Sequence, residues 1–288
     1  MSKSEVQHRS DDRENTPEEG IPYSNYYVNQ GNIPLHKDWF NRPCTLTKCF
    51  SKYMDRTLDF TCRDDDVWVV TMPKCGTTWM QEAAWLVYND FNFEMAKAKP
   101  IHDRSKNKVI YVARNVKDAA ISFFHFAKAL TVFRGTKDQF LKAFMEDNIY
   151  YCPFWPHILE FYEMRNEKNI FFTTYEKMKT DLRSVIKDLC VFLEKPVPSN
   201  EILEKTVEHL DFKNMKESVT GKHFQKLIDD VKEDNNNTSD NFQFWRRGIV
   251  GSFKDELTPE QIKMLDDWSR KFLEEAGMSS EEELYANI

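Results

Sequence analysis

No run of apolar residues in this 288-residue chain approaches the length of a membrane span, and the opening MSKSEVQHRSDDRENTPEE has no apolar stretch of the secretory kind. A cytoplasmic protein without a membrane partner is the expectation. An excess of positive charge is lacking too. The 40 lysines and arginines stand against 47 aspartates and glutamates, a formal net charge of −7, which argues against nucleic acid or an anionic membrane as a general partner. Any anionic ligand must therefore be held by local basic groups. The six cysteines, Cys44, Cys49, Cys62, Cys75, Cys152 and Cys190, have none of the paired short spacings of a zinc site, so reduced thiols and no metal are expected. Nor is any long internal repeat present.

What the chain does have is 41% hydrophobic and 14% aromatic residues, enough to build a substantial core. Residues 1–20 are polar and charged and read as a flexible tail. Residues 21–288 read as one domain at the upper end of what a single core supports. Three short β-branched or aromatic runs, Val67–Thr71, Val109–Ala113 and Ile170–Thr174, predict strands, the first after the acidic Asp64, Asp65 and Asp66. Helical patterns follow each: MQEAAWLVYNDF, AAISFFHFAKAL, and the stretch from Lys179 to Leu193. Strands alternating with helices predict an α/β fold with a parallel β-sheet flanked by helices and ligands at the carboxyl ends of the strands. Residues 221–241 are polar, include EDNNNT at 233–238, and read as a mobile loop.

The loop Pro73, Lys74, Cys75, Gly76, Thr77, Thr78, Trp79 joins a strand to a helix N-terminus, where free N–H groups and the helix dipole favour a phosphate. Glycine permits close approach, Lys74 adds charge, and the threonine hydroxyls add donors. A plain βα turn capped by threonine fits the bare Gly-Thr-Thr equally well. Lysine before the glycine is not the Walker A order, so a different nucleotide family is indicated. Arg114 and Ser122, about two helical turns apart, can face one phosphate, or be a solvated loop charge and a structural serine. The run Phe244, Trp245, Arg246, Arg247, Gly248, with Gly251 and Lys254, supplies guanidinium groups suited to bidentate phosphate binding. Tyr175, Phe212 and Trp79 are each ordinary core candidates taken singly.

Together these motifs resemble the cytosolic sulfotransferases, which use 3′-phosphoadenosine 5′-phosphosulfate (PAPS) and release the bisphosphate PAP. PKCGTTW is similar to their PKSGTTW, Arg114 to Ser122 to their RNxKDxxxS, and RRGIVGSFK to their RKGxxGxxK, in the expected order over roughly residues 21–276. The resemblance implies a P-loop-like sulfotransferase fold and transfer of a sulfuryl group from PAPS to a hydroxyl or amine of a small-molecule acceptor, with no metal. It also implies roles. The loop Cys75, Gly76, Thr77 and Thr78 takes the 5′-phosphosulfate end, and Lys74 the bridging region as the catalytic lysine. Trp79 and Phe212 take the adenine, with Tyr175 near the nucleotide. Arg114 and Ser122 bind the 3′-phosphate, over which Trp245, Arg246, Arg247 and Gly248 close. Cys75 stands where the family has serine and removes a hydroxyl donor, leaving the backbone donors in place.

Two segments depart from the pattern. Family members carry a KTHLP-like strand before the VIYVAR strand, and its histidine is the general base. Here NFEMAKAK runs almost directly into PIHDRSKNKVIYVAR, so an internal deletion and a sheet short of one strand are expected. His102 sits in a polar turn rather than in that motif, and His125, His157 and His209 have no better context. The family's dimer segment KxxxTVxxxE reads KDELTPEQIK, with Pro259 and Lys263 at the valine and glutamate places. A homodimer stays open. Two other functions are weighed: a PAP- or PAPS-binding relative impaired or inactive without its base histidine, and a P-loop small-molecule kinase, against which the lysine position counts.

Overall fold

The three predicted strands form the central sheet of a computed structural model, which describes residues 9–12, 16–27, 43–58, 60, 63, 66–98, 108–234 and 242–286. In chain order the strands are β1 (Arg9–Asp12), β2 (Tyr23–Tyr27), β3 (Cys44–Thr47), β4 (Trp68–Thr71), β5 (Val109–Ala113) and β6 (Ile170–Thr174). The helices are α1 (Met54–Leu58), α2 (Thr77–Tyr88), α3 (Phe93–Ala98), α4 (Val116–Ala129), α5 (Lys137–Met145), α6 (Phe154–Glu163) and α7 (Tyr175–Thr180). They continue with α8 (Leu182–Phe192), α9 (Asn200–His209), α10 (Phe212–Glu217), α11 (Val219–Asp234), α12 (Pro259–Glu275) and α13 (Glu281–Ala286).

Strands β4, β5 and β6 pair in parallel in that order, Trp68 opposite Val109 and Val109 opposite Ile170. Side chains alternate across a strand, so the central β5 serves two cores. Ile110 and Val112 pack with Met80 and Leu86 of α2 and Ile186 of α8, whereas Tyr111 and Ala113 pack with Phe123 of α4, Phe140 of α5 and Leu159 of α6. This two-sided burial is why VIYVA is apolar throughout. It also fixes the carboxyl ends of β4 and β5 side by side, where the motif loops begin. β4 is an edge strand of this sheet, its Trp68 42% exposed and edge-on to Phe60.

Several expectations change. Within the stretch read as a flexible tail, Arg9–Asp12 pair antiparallel with β2, and β2 pairs with β3, forming a second small sheet. Gly20 N–H also donates to the Val132 carbonyl. The helix expected from Lys179 to Leu193 is two helices, because the Asp181 side chain accepts from Ser184 N–H and starts α8 afresh. The mobile loop expected at 221–241 is corrected: α11 occupies residues 219–234. Phe224 and Ile228 lie four residues apart on one face, and Ile228 packs with Ala129 and Phe242. Gly221 sits so close to α10 that a Cβ would lie 2.3 Å from the Met215 carbonyl oxygen. Polar composition hid an amphipathic helix. The remainder of that stretch, with Cys62, Asp64, Asp65 and His102, lies outside the described residues, as does 99–107, where the sequence leads to the expectation of a deletion.

Candidate functional site

Between β4 and α2 the chain turns through Met72–Gly76 with Lys74 at φ 67° and Gly76 at φ 103°, both left-handed. Gly76 is required on two counts: its φ, and Tyr175, whose Cδ2 would lie 3.0 Å from an added Cβ. As N-cap, Gly76 brings no side chain to the first amides of α2. An uncapped helix start is an anion site in waiting.

Beneath this loop opens a cavity of about 620 Å³. Every residue singled out for the nucleotide borders it except Cys75: Lys74, Gly76, Thr77, Thr78, Trp79, Arg114, Ser122, Tyr175, Phe212, Trp245, Arg246, Arg247 and Gly248. The Cys75 thiol is instead wholly buried and pushed up to about 12, chiefly by burial, so the side chain at the family's serine position is core and only its backbone faces the loop. Five of the bordering side chains are cationic (Lys74, Arg114, Lys179, Arg246, Arg247) and, among the described residues, none is a carboxylate. In a chain of net charge −7 that is a strong local inversion.

Lys74 faces aromatic rings rather than an acid, its Nζ 4.1 Å from the Phe244 centroid and 4.8 Å from that of Phe126. The residue keeps some surface on the cavity, while the enclosing walls strip water from its ammonium. That desolvation, then the charges of Arg114 and Arg246, lowers Lys74 to about 7. Arg114 leaves β5 and donates from Nη1 to the Lys74 carbonyl oxygen at 2.8 Å, with its guanidinium 4.3 Å from the Tyr175 ring centroid. Its Nε is buried without a hydrogen-bond partner among the described residues, as is Trp245 Nε1. Such donors are uncommon in a folded interior.

Asp118, which sequence reasoning passed over, joins two motifs. Fully buried on the first turn of α4, its carboxylate accepts from Gly251 N–H at 2.6 Å, Ser252 Oγ at 3.0 Å and Phe253 N–H at 3.0 Å. This anchors the segment after Arg246-Arg247-Gly248 to the helix that carries Ser122. Gly248, at φ 66°, lies flat against Phe212; a Cβ there would sit 2.2 Å from the ring. Arg246 is ion-paired with Glu256 and Arg247 with Asp255. Trp79 is fixed by an Nε1–H bond to the Leu210 carbonyl at 2.9 Å, with Tyr175 edge-on at 5.5 Å. From α11, Phe224 stacks on Phe244 at 4.8 Å and borders the cavity, so the supposed loop is part of its wall.

The cavity is also bordered by Met72 and by residues that no motif marks: Cys44 of β3, Tyr151 and His157 of α6. Burial raises the Cys44 thiol to about 11 and lowers His157 to about 4. Its Nδ1 lies 2.8 Å from the Tyr111 hydroxyl. The other described histidines do not border the cavity: His125 meets Glu256 at 2.5 Å and His209 meets Glu82 at 3.0 Å. KDELTPEQIK begins α12, with Thr258 as N-cap and Pro259 in the first turn.

Comparison with known proteins gives a consistent result. The Sulfotransferase domain family matches residues 64–107 and 103–277. Amine sulfotransferase of Oryctolagus cuniculus is 31% identical over 75% of this chain and 83% of its own, and luciferin sulfotransferase of Photinus pyralis 26% identical over 83% and 80%. Mouse sulfotransferase SULT7A1 complexed with PAP superposes with a TM-score of 0.63 at 25% identity over 81% of this chain and 92% of its own. Retinol dehydratase in complex with retinol and PAP shares the fold, with a TM-score of 0.74 at 20% identity over 92% and 96%.

Proposed function

The chain belongs to the sulfotransferase family, and we propose that it transfers a sulfuryl group from PAPS to a hydroxyl or amine of a small-molecule acceptor in the cytoplasm. The observation that carries this reading is a cavity under an uncapped helix start that is bordered by five basic side chains and by no described carboxylate. The unpartnered Nε of Arg114 supports a phosphate-bearing ligand there, since a phosphate oxygen would satisfy it. PAPS supplies the activated sulfuryl group. The loop amides and Lys74 hold its 5′ end, Arg114, Ser122, Arg246 and Arg247 its 3′-phosphate, and Trp79 and Phe212 the adenine.

No helix among the described residues is long and apolar enough to cross a membrane, and no described group of side chains could hold a metal. The test is calorimetric titration with PAP of the wild type, Lys74→Ala and Arg114→Ala, followed by labelled transfer to phenols, alcohols and amines. Each substitution should weaken PAP by about 2–4 kcal/mol, 30- to 1,000-fold. A well-folded protein that ignores PAP refutes the reading. Binding with no transfer to any acceptor would leave a nucleotide-binding relative.

A further inference from the structure

We propose that His157 is the base that takes the proton from the acceptor hydroxyl, with Tyr111 as its positioning residue; this rests on the sulfotransferase reading above. Sulfuryl transfer to a hydroxyl leaves a proton to be removed. Among the described residues bordering the cavity there is no carboxylate, and the arginines have no lone pair to offer. The thiol of Cys44 and the phenols of Tyr151 and Tyr175 are held protonated by burial. Lys74, whose Nζ lies against the Phe244 and Phe126 rings, is assigned to the 5′ end of the donor in the reading above. His8, His36 and His102 lie outside the described residues, and His125, His209 and His223 do not border the cavity. The remaining imidazole is that of His157.

Its setting suits the task. Tyr111 is fully buried at the centre of β5, stacked on Phe161 at 4.3 Å and on Phe172 at 5.3 Å, so its hydroxyl is a fixed post. In the tautomer whose Nδ1–H donates to that oxygen, Nε2 carries the lone pair that the acceptor needs. Burial keeps the ring neutral at physiological pH, and negative charge entering the cavity favours its protonated form at the moment of transfer. The acceptor O–H proton passes to Nε2. The oxygen's electron pair forms the new O–S bond, the bond from sulfur to the bridging oxygen breaks, and its pair remains on the phosphate of PAP. The imidazolium then returns the proton to water.

The test compares wild type, His157→Gln and Tyr111→Phe with a series of phenols of graded acidity. His157→Gln should keep PAP affinity within about twofold and lose on the order of 10²- to 10⁴-fold in kcat with weakly acidic acceptors. The loss should shrink toward nitrophenols, which enter already ionised. Tyr111→Phe, which keeps the stacked ring, should lose less in the same graded way. In the complex of the wild type with PAP, adding 2-naphthol should move the ¹⁵N resonance of His157 Nε2. Unchanged kcat in His157→Gln, a loss equal across all phenols, or an Nε2 resonance indifferent to naphthol overturns the assignment while leaving the transferase reading intact. A wild type that neither binds PAP nor transfers overturns both.

Discussion

Asp118→Asn isolates the contact that ties the Arg246-Arg247-Gly248 segment to α4. The aspartate is fully buried and accepts three hydrogen bonds, two on Oδ1 and one on Oδ2. Asparagine is isosteric. Its carbonyl can keep the Ser252 and Phe253 bonds in neutral form, but its amide then points a donor at Gly251 N–H. Hydrogen bonds to a charged group contribute about 1.5–3 kcal/mol each and neutral ones about 1 kcal/mol, so one bond is lost and two are weakened, a destabilisation of about 2.5–7 kcal/mol. Urea unfolding with an unchanged m-value measures it. PAP affinity should fall as well, by tenfold or more, because the segment bearing Arg246 and Arg247 loses its anchor. A variant within 0.5 kcal/mol of wild type, as an order of magnitude for a neutral surface change, and with unaltered PAP affinity would refute the view that Asp118 holds this loop.

Two pH dependences follow from buried charge. Lys74 titrates near 7 in the free protein, and a bound phosphate favours its ammonium form, so PAP binding takes up a proton and affinity falls above pH 7, by up to about tenfold per unit. Calorimetry from pH 7.5 to 9 in buffers of different ionisation enthalpy reads both effects, and Lys74→Met should abolish them. Glu281 of α13 is raised from 4.5 to about 7 by burial, although it accepts from Val116 N–H at 2.7 Å and Asn115 Nδ2 at 2.8 Å. A raised folded pKa contributes stability below 4.5 that is lost as pH rises through 7, here roughly 3 kcal/mol at most. Glu281→Gln should flatten that part of the profile relative to wild type in urea unfolding at pH 5 and pH 8.

The parallel strands were legible because burial on both faces leaves continuous apolar runs, and VIYVA and IFFTT coincide with β5 and β6. The three motif loops, which the fold brings to one cavity, were legible as glycine, hydroxyls and cations at fixed offsets along the chain. What escaped depends on partners far apart in sequence. Asp118 reads as one more charge in RNVKD until Gly251, Ser252 and Phe253 arrive beside it. His157 sits in an aromatic helix and gains its meaning from Tyr111, 46 residues away. Helix α11 was hidden by polar residues on its outer face, its inner face being only as wide as the walls of Phe224 and Ile228. The strand at Arg9–Asp12 has no apolar pattern to announce it, since its pairing is with β2 through the backbone.

The cations around the cavity are not equivalent, and the difference bears on how the site works. Arg246 and Arg247 each have a carboxylate partner, Glu256 and Asp255, and His125 shares Glu256. Their charge is balanced before any ligand arrives, while a planar guanidinium still has donors to spare for a phosphate. Lys74 and Arg114 lack an ion-pair partner among the described residues; one faces aromatic rings, the other a carbonyl oxygen and the Tyr175 ring. Two like charges held together in a partly dehydrated wall raise each other's energy; loss of water first, and this repulsion second, lower the pKa of Lys74. A ligand that brings one anionic group to Lys74 and another to Arg114 relieves it, and the second can satisfy Arg114 Nε. The uncompensated pair therefore selects for a multiply charged ligand over a neutral nucleoside of the same shape, and the compensated pair supplies further donors without adding to the repulsion of the empty site.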